Sequence, residues 1–266
     1  MIKIFRKIRY DLMEKNKTGK YFKYAIGEII LVVIGILIAL QINTWNQNRQ
    51  DRKQEQQVLF QLLNEYENNL IQLNQKILIR NGIISSSFKL LNYKNDESRN
   101  VVADSFNLHL SRLFWRPTFD PELGVTTELT SSGKLYLLTN ASLRNNITSF
   151  PSFLGELREE ETVIFNQVEE QLTPFVMEHY QFGKIIGEQF NDEYFKEQVT
   201  FVIAEGSNSI INLFPQVDFK PLLNHSEFED YLALMISNTI YTNEQSEGVK
   251  KKIEKIISLI NGELKK

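Results

Sequence analysis

The sequence contains no cysteine, which excludes disulfides, thiolate nucleophiles and cysteine-ligated zinc. Histidine is nearly as scarce. His109, His179 and His225 are the only three, and none lies three to five residues from another, so the helical metal-ligand pair is missing. There is no glycine-rich phosphate loop, nucleophile elbow or zincin helix motif, and Gly19, Gly27 and Gly35 are too far apart to cradle a phosphate. No alternating pattern is long enough to demand a sheet, and neither a repeat nor a low-complexity tract occurs. These absences set the first expectation: the chain is not an enzyme and carries no cofactor or metal.

What is present begins with an uneven charge. The 266 residues carry a formal net charge of -3, yet Met1 to Lys23 holds eight basic residues against Asp11 and Glu14. From Thr44 onward the balance reverses, with 22 basic residues against 30 acidic ones. An acidic bulk is a poor surface for nucleic acid, so no nucleic-acid partner is expected. A short basic leader before an apolar run is the pattern that orients membrane proteins with the N-terminus in the cytoplasm.

The apolar run itself is "YAIGEIILVVIGILIALQINTW", Tyr24 to Trp45. Its unbroken core, Ile29 to Leu40, would rise only about 18 Å as a helix and falls short of a hydrocarbon layer of about 30 Å. The whole of 24–45 reaches about 33 Å, with aromatic residues at both ends where interfacial belts form. Glu28 then sits about one turn inside the basic flank, near enough to reach the headgroups or pair with Lys20 or Lys23. No small-x-small site follows the run, since Ala39 precedes Leu40 and Gln41, so an uncleaved signal anchor is expected rather than a cleaved signal peptide.

Two features of this region suggest contacts. In the leader, Ile4, Ile8 and Leu12 recur every four residues while Lys3, Arg6, Lys7 and Arg9 fill other positions; this is either an amphipathic arm on anionic lipid or a plain topogenic flank. In the span, Gly27, Gly35 and Ala39 share a face, and Gly35-x-x-x-Ala39 is a small pair that permits close approach of a second helix. That suits a homodimer or another inner-membrane protein, set against the ordinary abundance of small residues in spans.

Beyond the anchor, helical periodicity dominates. Leu59, Leu63, Tyr66, Leu70, Leu73 and Ile77 alternate by four and three, a seam too short for an autonomous coiled coil and better suited to one stripe of a bundle helix. Gly82 marks a weak point and "NYKNDESRN", Asn92 to Asn100, a loop. Val101 to Trp115 reads as a helix, then Pro117 and Pro121 punctuate the chain. Further helices are expected around Ser142 to Phe182 and Phe190 to Ile203, with candidate breaks at Pro151 and Pro174. Glu205 to Pro221 is loop-like, and one long helix covers Glu227 to Leu264 with a candidate interruption at Gly248.

Two side-chain groups invite a functional reading. The carboxylates Glu156, Glu159, Glu160, Glu161, Glu169 and Glu170 could serve acid–base chemistry, but such runs on a helix usually form a solvated face, which is the expectation. Arg112, Trp115 and Arg116 could form an exposed recognition patch, but Trp115 is expected to be a core anchor with the arginines at its rim. In "TTELTSSGKLYLLTNASLRNNI", Thr126 to Ile147, a helix ends at Gly133 in a C′ position and Asn140 caps the next, making a helix-link-helix corner in which Ser131 and Ser132 need no ligand.

The near-continuous "YAIGEIILVVIGILIALQIN" after a basic start, together with "ELTSSGKLYLLTNASLRNNI", resembles an uncharacterised bacterial family of single-pass membrane proteins, classed as a domain of unknown function. The resemblance covers essentially the whole chain and implies an N-terminal anchor with a helical soluble domain. It implies no activity, substrate or catalytic residue. One departure is Pro151 in "ITSFPSF", where the family's helix would continue.

The expected architecture is mainly α: a basic cytoplasmic arm over 1–23, a transmembrane helix over 24–45, and a periplasmic helical bundle over 46–266. The arm is too short to be an output domain. The expected role is therefore a scaffold or adaptor in the bacterial inner membrane, with a periplasmic ligand-sensing bundle as the alternative and an enzyme with an unrecognised site as the third.

Overall fold

The computed structural model describes residues 10, 18–95, 101–198 and 213–265. Among them every regular element is a helix and none is a strand. In chain order these are α1 (Thr18–Asn95), α2 (Ala103–Arg112), α3 (Gly124–Ser131), a 3₁₀ turn (Lys134–Leu137), α4 (Ala141–Asn166), a π-helical stretch (Gln167–Leu172), α5 (Thr173–His179), α6 (Phe182–Asn191), α7 (Glu193–Gln198), α8 (Lys220–Leu223) and α9 (Ser226–Leu264). The chain divides into two compact units, Met1–Gln57 and Val58–Lys266, and α1 begins in the first and ends in the second.

In the first unit, α1 carries the apolar run. By length and composition it includes a stretch able to cross a membrane, none of which is buried. Ile29, Leu31, Ile36, Leu37 and Leu40 are all exposed. An uncovered apolar surface of this extent is what a helix able to span a membrane would present.

The second unit is built on three long segments. Leu59, Leu62, Tyr66, Leu73 and Ile77 of α1 meet Leu143, Ile147, Phe150 and Leu157 of α4 and Val249, Ile253, Ile256 and Ile260 of α9 in one apolar cluster. A second cluster joins Ile79, Ile83 and Leu90 of α1 to Phe106 and Leu110 of α2, Ile164, Val168 and Leu172 around the π stretch, and Phe228, Leu232 and Met235 of α9. The order of these residues along each helix makes α1 and α4 run the same way and α9 the opposite way. The buried stripe of α1 differs from a strict seam: Leu62 lies in the core, while Leu63 and Leu70 are half-buried shoulders. A bundle helix facing two neighbours needs this wider stripe.

Several expected breaks are absent for identifiable reasons. Gly82 lies inside α1; a Cβ there would stand 2.6 Å from the ring of Tyr194, so the glycine makes room for an aromatic side chain. Gly248 likewise lies within an uninterrupted α9. Pro151 is inside α4, where Ile147 and Phe150 are fully buried and Phe150 meets Tyr66 edge to face at 5.3 Å. That packing outweighs one lost backbone bond, which costs about 3 kcal/mol. Pro174 does leave a mark. It cannot donate to the carbonyl of Glu170, and the π-helical stretch that precedes it widens the helix where Gln167 and Val168 both turn inward.

The remaining boundaries also shift. The helix expected over Val101 to Trp115 is shorter, Ala103–Arg112, and the exposed Val102 precedes it. The expected helix over Phe190 to Ile203 begins in α6 and, after a break at Asp192, continues in α7 to Gln198; 199–203 lie outside the described residues. Of the expected loops, Asn92 to Asn95 still belong to α1 while 96–100 lie outside the described residues; 205–212 lie outside them too, and 213–219 is irregular up to the start of α8 at Lys220.

Candidate functional site

Between the two apolar clusters lies a polar layer. On α1 it is Arg80, fully buried; on α4 it is Glu161; on α9 it is Thr239, Thr242 and Ser246, all fully buried. The Arg80 guanidinium forms an ion pair with Glu161 through Nη2. It also donates to Ser246 Oγ at 2.8 Å and to the carbonyl of Pro117 at 3.1 Å. The Ser246 hydroxyl donates in turn to the carbonyl of Thr242 at 2.9 Å. Glu161 accepts in addition from the backbone N–H of Phe119, at 3.0 and 3.2 Å. Arg80 Nε has no hydrogen-bond partner among the described residues, so the guanidinium is not fully satisfied.

The electrostatics follow from burial. Desolvation pushes the Glu161 carboxyl above the usual carboxylate range, opposed by Arg80 and the Phe119 amide. Desolvation likewise lowers Arg80, opposed by Glu161. Both shifts mean that ionisation here costs free energy, as expected for charges removed from water. Lys76, one turn before Arg80, is also lowered by burial, with Asp120 acting the other way.

This corrects one expectation. Glu161 is not part of a solvated acidic face; it is buried, whereas Glu156, Glu159 and Glu170 are exposed. The distinction was visible in spacing alone, because Leu157, Glu161 and Ile164 share one face of α4.

Arg80 ends a row of polar residues on α1 that serve the irregular segment 113–123 and the start of α3. Gln72 accepts from the N–H of Asp120 at 3.0 Å. Asn69 donates to the Glu122 carbonyl at 2.7 Å and accepts from the same residue's N–H at 2.8 Å. Glu65 accepts from the N–H groups of Val125 and Thr126, at 2.6 and 3.1 Å, and from the Thr126 hydroxyl at 2.6 Å. A segment with no ladder of its own must satisfy its backbone elsewhere, and here α1 supplies the partners. The Glu65 carboxylate caps the N-terminus of α3 in place of a local residue, since Leu123 offers no side-chain cap. Tyr66 completes this end through Thr126 Oγ1 at 3.2 Å, and burial raises its phenol above the ordinary range.

The residues singled out in sequence are distributed as follows. Gly133 has φ of 70° and ends α3 in the left-handed region. Asn140 caps α4 by accepting from the Leu143 N–H at 3.0 Å and donates to Glu263 of α9 at 2.8 Å. The Ser131 and Ser132 hydroxyls donate back to the Thr127 and Glu128 carbonyls at 2.7 and 2.6 Å. Gly27 and Gly35 have nothing within 4 Å of where a Cβ would lie; Ala39 is exposed and Glu28 half-buried. Lys3, Arg6, Lys7 and Arg9 lie outside the described residues. Trp115 is buried and stacks on Tyr194 with ring centroids 6.0 Å apart, while Arg112 forms two hydrogen bonds to Asp192 at 2.6 and 2.9 Å. Spacing missed one meeting: His179 and His225 come together across the fold, ring centroids 4.5 Å apart. Among the described residues no group of three or more His, Cys, Asp or Glu could hold a metal ion.

Beside the polar layer a cavity of about 250 Å³ opens between α4 and the irregular segment, lined by Thr118, Asp120, Arg158, Glu161, Thr162 and Phe165. Glu161 is thus shared between the buried layer and a recess open to solvent.

The architecture defines a class: an all-helical protein with one uncovered, membrane-length apolar stretch and a bundle with a polar layer in its core. Residues 28–158 match the model of a family of unknown function, DUF6090. The match runs from Glu28 in the apolar stretch, through Arg80 and the segment that α1 supports, to Arg158; Glu161 and α9 lie beyond it. No curated protein and no solved structure matches the chain.

Proposed function

We propose that the protein is a membrane-anchored adaptor of the bacterial inner membrane, its basic arm cytoplasmic and its bundle periplasmic, working by association with itself or with another membrane protein. The observation that carries this reading is the composition of α1. The uncovered apolar stretch and the core stripe from Leu59 to Leu90 both belong to α1, so the bundle follows the span directly in the chain. The basic leader supports the orientation through the excess of positive charge on one side. Within the span, the open face at Gly27 and Gly35 gives a partner helix room to approach.

In-cell photo-crosslinking from position 35, with the adduct identified by mass spectrometry, tests the reading. A self-adduct or a defined membrane protein is the expected product. Reproducible absence of any adduct, with the probe shown to be incorporated, refutes association through this face. Accessibility labelling from either side of the membrane tests the orientation: a cysteine placed in the bundle should react from the periplasmic side.

A second reading, a ligand-sensing bundle, is favoured by one specific observation, the solvent-open cavity that reaches Glu161. Ligand-dependent melting tests it.

A further inference from the structure

The cavity between α4 and the irregular segment has an unusual distribution of charge. Arg158 and Asp120 both line it, both are exposed, and neither pairs with an oppositely charged residue among the described residues. Their neighbours are already engaged. Glu161, three residues after Arg158 and well placed to pair with it, is turned inward to Arg80 and the Phe119 N–H. The nearby Arg116 is taken by Glu169, and Lys76 feels the charge of Asp120 without forming an ion pair with it. Asp120 itself accepts from the Thr118 hydroxyl at 3.1 Å, which fixes the carboxylate at the cavity edge.

From this arrangement we propose that the cavity binds a small zwitterion, an α-amino acid, with its carboxylate on Arg158 and its ammonium on Asp120. A simple anion would meet Asp120 and Glu161; a simple cation would meet Arg158. Only a ligand bearing both charges complements both walls at once. Size agrees with this assignment. A volume of about 250 Å³ is roughly eight times the share of one water in the liquid and falls below the range of drug-sized and cofactor pockets. The ring of Phe165, with Arg116 6.0 Å from its centroid, offers an apolar wall suited to a short aliphatic side chain. Because Glu161 also lines the cavity, an occupant would sit near the carboxylate that joins α4 to α1.

This inference rests on the sensing reading and narrows it to one ligand class. Isothermal titration of the full chain in detergent micelles with glycine, L-alanine and L-serine tests it. Saturable one-to-one binding of at least one of them is expected, weakened about tenfold or more in Arg158→Met and in Asp120→Asn. N-acetylalanine and alanine methyl ester, each lacking one charge, should bind at least about tenfold more weakly than alanine. Both substituted residues are at the surface, so the ligand-free melting temperature should stay within about 2 °C of the parent. The proposal is overturned if none of the three amino acids binds up to about 10 mM, if both variants bind as the parent does, or if the one-charge analogues bind equally well. A melting shift with other metabolites alongside amino-acid failure would sink the zwitterion and leave the sensing reading standing; no shift with any metabolite would remove both.

Discussion

Replacing Arg80 by Met removes a guanidinium that is fully buried and leaves the Glu161 carboxyl, whose side chain is 5% exposed, without its cation. Truncating one partner of such a pair costs about 3–5 kcal/mol, most of it the uncompensated charge that remains. The bonds to Ser246 and to the Pro117 carbonyl disappear as well. For a unit of this size the melting temperature should fall by about 6–20 °C. The double variant Arg80→Met with Glu161→Leu should recover most of that loss, because no charge is then buried. It leaves the Phe119 N–H without its acceptor, so recovery should stop short by about 1–3 kcal/mol. The pH dependence has a definite sign. Burial raises the folded-state pKa of Glu161, so its contribution to stability is fully present below the ordinary glutamate range and is lost as pH rises through the folded value. Without Arg80 to oppose the rise, that pKa moves further up, and the deficit of R80M should shrink on acidification while the double variant shows no such trend. Thermal unfolding of the full chain in detergent between about pH 4 and pH 8 measures all three proteins. A double variant as unstable as R80M, or a deficit for R80M that grows toward acid pH, would refute the reasoning.

Three further perturbations address separate features. Gly82→Ala should destabilise by about 1–3 kcal/mol in thermal melts, because its Cβ would press on the Tyr194 ring, and should be nearly silent when Tyr194 is Ala. Glu65→Ala, measured the same way, should cost about 1–3 kcal/mol by uncovering the amides of Val125 and Thr126; helix content should fall by little more than α3. Gly133→Ala should cost about 1–2 kcal/mol at φ of 70°, and Gly133→Asn less, since asparagine tolerates that region; equal costs would show that backbone conformation is not what the glycine provides.

Much of the fold was legible from simple periodicity. The apolar stretch, the helical class and the long final helix all follow from spacing. So did the corner at Gly133 and Asn140, because φ above zero and helix caps select particular residue types. What stayed hidden depended on contacts between distant segments. Gly82 looks like a weak point until Tyr194 is placed against it, and Pro151 looks like a break until Ile147 and Phe150 are seen in the core. Glu161 is a different case: it looks like one more acid in a run of acids, yet local spacing between Leu157 and Ile164 already marks it as inward. The cavity is less legible still, since Asp120 and Arg158 lie on different segments and nothing in their spacing announces that they face a common space.

The row Glu65, Asn69, Gln72 and Arg80 has a mechanical consequence. Its spacings of four, three and eight residues put a tooth at nearly every turn of α1, each engaged with the backbone of the segment between Pro117 and Thr126, like a spline in a keyway. A screw of α1 by a single residue would displace every tooth by about 1.5 Å and turn it by about 100°, disengaging all of them together. Neither a piston stroke nor a rotation of α1 can therefore pass through this part of the bundle while the segment stays seated. A movement that arrives along α1 must either carry 117–126 with it as one rigid piece or strip the whole row in a single step.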